Sequence, residues 1–232
     1  TTPFLSFHER LKRKGRSAVT SSAQFSCLLL CLCFVASVPL ACRRGWYARL
    51  EPIGKGVTAH LDVLYDSTVI EEQMSALGSK EDSEKTILDE FKEMFSKVQE
   101  VFNNASVMIS IEVENVTKND NLSVIFHGMK RSIDGPLTLE NLIKYGQHRS
   151  ASNDTIFFLF TRRPILRETK LGDTIPIEMM SYVTFDTFCT PNVSAAVVNY
   201  FPGPYSHYSP GEAMARMLGS TRYPRFQWRD MC

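Results

Sequence analysis

Ser209-Pro210-Gly211-Glu212-Ala213-Met214-Ala215-Arg216-Met217-Leu218-Gly219-Ser220-Thr221-Arg222 reads as a short helix punctuated at both ends. Ser209 suits the N-cap, Pro210 the first helical position, and Gly219 the close of the last turn. Met214, Met217 and Leu218 give the helix an apolar face. On these features alone it is an ordinary capped helix. Its meaning depends on what precedes it.

Upstream, 202–210 is a turn-rich loop holding Tyr205, His207 and Tyr208, and 195–200 reads as a short strand. Residues 179–188 read as an edge strand leading to Cys189. Asp154-Thr155-Ile156-Phe157-Phe158-Leu159-Phe160-Thr161 is a continuous apolar run, the pattern of a strand buried on both faces. Gly135-Pro136 breaks the chain, after which Thr138 can cap a short helix carrying Leu139, Leu142, Ile143 and Tyr145. A strand is expected at 121–126 and another at 107–113, where Val107, Ile109, Ile111 and Val113 alternate with more polar residues. The clearest helix spans 83–102, with Ser83 as its cap. Ile87, Leu88, Phe91, Met94, Phe95, Val98, Val101 and Phe102 form one wide apolar face. The first strand, 57–66, contains Leu61-Asp62-Val63-Leu64-Tyr65-Asp66. His60 falls on its polar face, where a solvated or hydrogen-bonded histidine is the ordinary reading. Strands alternating with helices predict an α/β layer arrangement with a mixed, mostly parallel sheet.

The N-terminal region reads as a targeting segment outside the fold. Residues 1–24 form a basic flank with Arg10, Lys12, Arg13, Lys14 and Arg16, and 25–41 supply an apolar run ending in small residues. That order is a secretory signal peptide, with cleavage after Ser37 or after Ala41. The run is short for a membrane anchor and ends near Pro39, so no stable membrane insertion is expected. Residues 42–56 are a polar lead-in to a domain at 57–232. The first methionine is Met74, so the chain reads as a fragment or a frame translated from upstream.

The formal charge of +1 misleads: five of the 26 basic and one of the 25 acidic residues lie in 1–41, leaving −3 for the remainder. No Lys/Arg cluster suits a nucleic-acid groove. The pairs Arg43-Arg44 and Arg162-Arg163 read as solvated surface. Five N-x-S/T sequons, at Asn104, Asn115, Asn121, Asn153 and Asn192, fit a glycosylated, secreted protein. Cys27, Cys31 and Cys33 belong to the signal, leaving Cys42, Cys189 and Cys232. Joining Cys189 to Cys232 would close a loop of about 40 residues, worth on the order of 4 kcal/mol in the chain-entropy model. Cys42 is open to loss on cleavage, to another chain, or to a cysteine outside the sequence.

The order of elements, the Leu61–Asp66 and 154–161 strands, the strand ending at Cys189 and the Ala215-Arg216-Met217-Leu218-Gly219 helix end together resemble the N-terminal half of reprolysin-type metzincin peptidases. The resemblance covers about 57–232. It implies a metzincin-like three-layer fold with long helices and a short or truncated C-terminal subdomain. It also implies a Cys189–Cys232 disulfide. In the pattern H-E-x-x-H-x-x-G-x-x-H, Gly219 takes the glycine position, where the chain turns towards the third ligand. The ligand positions, however, hold Glu212, Arg216 and Arg222, and the general-base position holds Ala213. Zinc takes imidazole, thiolate or carboxylate donors, and the peptidase needs a carboxylate to accept a proton from the metal-bound water. Glu212 could still ligate, but Arg216 and Arg222 stay protonated and repel a dication. No Met-turn follows. Zinc is therefore expected to be lost, with no catalytic or metal-binding residues left.

More narrowly, the chain is similar to the degenerate reprolysin-like salivary proteins of metastriate ticks. That implies a secreted, glycosylated, catalytically inactive protein of tick saliva that binds host extracellular proteins at the feeding site. Its edge strand near 180–185 could pair an extended peptide. Two other functions are distinct in kind: an active zinc endopeptidase with a non-standard site using Glu212 and His207, and a secreted small-ligand carrier. The helix in the first third argues against the up-and-down barrel such a carrier would need.

Overall fold

The computed structural model describes residues 52–70, 80–149, 151–168, 175–224 and 226, all within one compact unit, Arg49–Cys232. The expected basic flank and signal peptide, Cys42 and Cys232 lie outside the described residues. The elements in chain order are β1 (Thr58–Tyr65), α1 (Lys80–Asn104), β2 (Ser110–Lys118), β3 (Ile133–Asp134), α2 (Gly135–His148), β4 (Thr155–Thr161), β5 (Ile165–Leu166), β6 (Glu178–Met179), β7 (Ser181–Val183), β8 (Ser194–Asn199) and α3 (Tyr208–Met217).

The main sheet has the order β2-β1-β4-β8-β7. β2, β1, β4 and β8 run parallel, and β7 lies antiparallel along β8 as an edge. The expected α/β class with a mixed, mostly parallel sheet is therefore what the chain forms. The sheet is open, which is not the up-and-down barrel of a lipocalin-type carrier. A second, small sheet joins β3, β5 and β6.

β4 explains why the sheet needs cover on both sides. Phe158 and Phe160 face one core and Phe157 and Leu159 the other, because successive strand side chains alternate. β8 follows suit, with Ala196 and Val198 on the first side and Ala195 and Val197 on the second. The first core is closed by Ile87, Phe91, Met94, Phe95, Val98 and Phe102 of α1, together with Met214 and Met217 of α3. The second is closed by Leu139 and Leu142 of α2. The layers are thus α1 with α3, the sheet, and α2. Aromatic rings knit the first core: Phe91 lies 4.7 Å from Phe160 and Phe95 lies 5.1 Å from Phe158, centroid to centroid.

Several local expectations are corrected. Helix α1 begins at Lys80, so Ser83 is inside it rather than its cap. Helix α2 begins at Gly135 and is capped by Asp134, whose Oδ1 accepts from Leu137 N at 2.9 Å. Pro136 sits in that first turn, where a missing N–H costs nothing. Thr138 instead accepts from Val124 N at 3.0 Å. The strand expected at 121–126 is a loop with a single bridge, Ile125 to Ile133. Beside the two backbone bonds of that bridge, Phe126 N to Ser132 O and Asp134 N to Val124 O, the α2 side chains Thr138 and Asn141 serve Val124 N and Leu122 O. The strand expected at 107–113 is shifted to Ser110–Lys118, with Val107 bridging to Ile53 of the lead-in segment. The expected edge strand at 179–188 is divided: Glu178–Met179 joins the small sheet and Ser181–Val183 the large one. Asp186 and Cys189, both at positive φ, end the extended run.

Candidate functional site

Helix α3 is held at both ends by backbone. Its N-cap is His207 with no side-chain cap, so Ser209 lies in the first turn rather than at the cap. Pro210 is tolerated because first-turn N–H groups lack intrahelical partners in any case. At the other end Gly219, at φ +89, closes the helix. Gly219 N donates to Arg216 O at 3.0 Å and Ser220 N to Ala215 O at 2.9 Å, the paired bonds of a Schellman turn. The loop after β7 satisfies the same end again. Asp186 N donates to Arg216 O at 3.0 Å and Thr187 N to Met217 O at 3.0 Å. The edge strand and the helix are thereby fixed to one another.

Within α3 the sequence-selected positions separate. Glu212 and Arg216, one turn apart, form an ion pair with Nη2 to Oε1 at 3.1 Å and Nε to Oε1 at 3.3 Å. Both side chains are partly exposed. Ala213 is fully buried in the first core with Ala215 and Met217. Arg222 lies beyond the Gly219 turn and is exposed; its backbone N donates to Ser220 Oγ at 3.2 Å. His207 is at the opposite end of the helix from Arg216.

These residues do not fit a zinc ion. The Glu212 carboxylate is paired with the Arg216 guanidinium, and a guanidinium offers no lone pair to a metal. Ala213, where the resemblance expects a base, is an alanine in the core. No group of three or more His, Cys, Asp or Glu side chains able to hold a metal comes together among the described residues, and His207 and Glu212 make no such set.

Beside the N-terminal end of α3 is a groove of about 530 Å³. Its apolar lining includes Met180, Phe201, Pro202, Tyr205 and Tyr208. Phe201, Tyr205 and Tyr208 are all substantially exposed, Tyr205 at 80%. The loop aromatics at 205 and 208 were visible in the sequence; their convergence with Met180, next to β7, was not. Asn199 N donates to Met180 O and Thr184 N to Ala195 O. By antiparallel alternation, Ser181 and Val183 then turn their backbone N–H and C=O groups away from β8.

All five sequon asparagines are exposed. Asn115 lies on β2 at the opposite sheet edge, next to Glu114. A register shift between Leu61 and Asp62 leaves Glu114 bulged, and its Oε1 lies 2.7 Å from His60 Nδ1. Cys189 is exposed and has no disulfide partner among the described residues; burial and then Asp154 push its thiol pKa up.

No helix among the described residues is long and apolar enough to cross a membrane. The chain matches no family model and no curated protein. Among solved structures it is similar in part to a chain described as "Structure of a chaperone-substrate complex", with a TM-score of 0.42 and 8% identity over 70% of this chain. This chain spans 23% of the length of that one.

Proposed function

We propose that this chain is a secreted, glycosylated, catalytically inactive protein on a metzincin-like scaffold, and that it binds host extracellular proteins. The observation that carries the reading is the Glu212–Arg216 ion pair, with core-buried Ala213 between its partners, on a helix that closes at Gly219. The strand order, with its antiparallel edge preceding the last parallel strand and α3, is compatible with that scaffold and gives it further support. Exposure of every sequon asparagine agrees with export and glycosylation. The expected Cys189–Cys232 bond belongs to the same reading, and non-reducing peptide mapping of the secreted protein tests it.

Binding is assigned to the β7 edge. β7 offers outward backbone groups at Ser181 and Val183 and adjoins the apolar groove through Met180, so an extended peptide can add as a strand and place a side chain against Tyr205 and Tyr208. The other edge, β2, carries the Asn115 sequon, and a glycan there would block strand addition. The test is proteolysis of an unfolded protein substrate by the purified secreted chain. No cleavage is expected, with or without chelator. Chelator-sensitive cleavage abolished by Glu212→Ala would overturn the reading in favour of an active endopeptidase.

A further inference from the structure

A second cleft lies away from α3, at the carboxyl ends of the central strands. β1 pairs with β2 on one side and β4 on the other, and the chain passes from β1 through α1 to β2 before returning to β4. The gap between β1 and β4 is therefore the point where strand order reverses. In open α/β sheets that crevice, outside the carboxyl ends of the strands, is where ligands bind.

The cleft here has a volume of about 360 Å³ and is lined by Thr68, Lys130, Arg131, Arg162, Arg163 and Pro164. Two separate basic pairs meet in it. Arg162-Arg163 follow β4 directly. Lys130-Arg131 come from the turn before β3, which Ile133 N fastens to Pro164 O at 2.9 Å. In sequence the pairs are some thirty residues apart, and Arg162-Arg163 alone reads as solvated surface.

Among the described residues, the Asp66 carboxylate beside the cleft is turned inward. Asp66 is 3% exposed and is held by Thr161 Oγ1 at 2.6 Å, by Thr68 N at 3.0 Å and by Thr68 Oγ1. Arg163 Nε lies 4.0 Å from it, and Arg163 Nη1 donates to Lys130 O at 3.5 Å, which steadies that guanidinium at the cleft. Lys130 and Arg131 make no ion pair among the described residues. Lys130, Arg131 and Arg163 thus bring three cationic side chains to one concavity, against the buried Asp66 carboxylate among the described residues, which favours positive potential in it.

We infer that this cleft binds a tetrahedral oxyanion, the sulfate or phosphate ester group of a small extracellular ligand, with Arg131 and Arg163 donating to its oxygens and Lys130 adding charge. Guanidinium forks match such oxygens in geometry, and the bonds are charge-assisted. The inference does not rest on the inactive-scaffold reading, since no residue of α3 or its groove takes part.

The test is a titration of the full secreted chain with sodium sulfate and with sodium phosphate, against sodium chloride at matched ionic strength, followed by amide shifts in NMR. Saturable shifts centred on 130–132 and 161–163 are expected with sulfate or phosphate and not with chloride. Loss of one charge-assisted bond corresponds to about tenfold in affinity, so Lys130→Ala/Arg131→Ala is expected to weaken binding at least tenfold while the circular dichroism stays unchanged. Arg163→Lys, which keeps the charge and removes the fork, is expected to weaken it as well. Tighter phosphate binding that grows as the anion loses its second proton identifies a phosphate ester; pH-independent preference for sulfate identifies a sulfate ester. Shifts that do not saturate, that match chloride, or that persist unchanged in the Lys130→Ala/Arg131→Ala variant would overturn the inference.

Discussion

Replacing Gly219 by alanine tests how α3 is anchored to the edge strand. At φ +89 the residue is in the left-handed region, where a Cβ costs about 1–2 kcal/mol. The new Cβ would also lie 2.9 Å from Asp186 Oδ1. Asp186 is exposed, so its side chain can swing away, at the roughly 0.5–1.5 kcal/mol typical of a poor rotamer. The total is about 2–3 kcal/mol. Gly56 supplies a control: it has φ +84, yet a Cβ there meets nothing within 4 Å. Gly56→Ala should show the backbone cost alone, about 1–2 kcal/mol. The reduced freedom of the unfolded chain is the same for both and cancels in the comparison. The difference of about 1 kcal/mol amounts to roughly 0.4 M in urea midpoint for an m-value of about 2.5 kcal/mol/M. Adding Asp186→Ala to Gly219→Ala should recover most of the contact term. A Gly219→Ala variant no less stable than Gly56→Ala, or a double variant with no recovery, would refute the contact between the helix end and the β7–β8 loop.

Other predictions address the core and its titrating groups. Phe158→Ala empties a fully buried position shared by α1 and the sheet and should cost about 3–5 kcal/mol, read by denaturant unfolding. Burial, and then the neighbouring Tyr208, push Tyr223 up to about 12. Its unfolded form ionises near 10. The folded chain therefore retains a proton that the unfolded chain has lost, and stability falls as pH rises from about 10 towards 12. Tyr223→Phe should flatten that alkaline slope in melts between pH 9 and pH 11. Burial raises the Asp62 pKa, Arg149 opposes the shift, and Glu114 adds to it. Charge on Asp62 thus costs stability above its folded pKa, and Asp62→Asn should be more stable than the parent at pH 7, with the gap closing below about pH 4. Ser181→Pro removes an outward N–H from β7, a substitution that sheet edges tolerate. It should leave the melting temperature nearly unchanged while weakening capture of host-plasma protein by the immobilised chain.

The sequence carried the fold wherever packing follows periodicity. The apolar face from Ile87 to Phe102 and the unbroken 154–161 run located α1 and β4 because helix and buried-strand patterns differ plainly. Boundaries were less legible where backbone groups find unexpected partners. Ser83, Thr138 and Ser209 are all good cap residues, yet Lys80 already lies within α1, Asp134 caps α2 and His207 precedes α3. The 121–126 segment has strand composition, but it pairs at one bridge only, and Thr138 and Asn141 reach it from α2 to serve Val124 N and Leu122 O. Of the α3 residues, Glu212 and Arg216 were expected at neighbouring ligand positions and do meet. The burial of Ala213 could not be read locally, since it depends on how α3 seats on β8. The meeting of Lys130-Arg131 with Arg162-Arg163 is a product of strand order alone, and no local pattern announces it.

The proposed reading has α3 keep a zinc-peptidase framework whose donors have been replaced. Its most direct test is zinc content by elemental mass spectrometry, comparing the native chain with Glu212→His/Arg216→His/Arg222→His after equal exposure to zinc. The account predicts about one zinc per chain in the triple variant and substoichiometric zinc in the native protein, both retaining the same circular dichroism. Stoichiometric zinc in the native chain, or none in a folded triple variant, would contradict it.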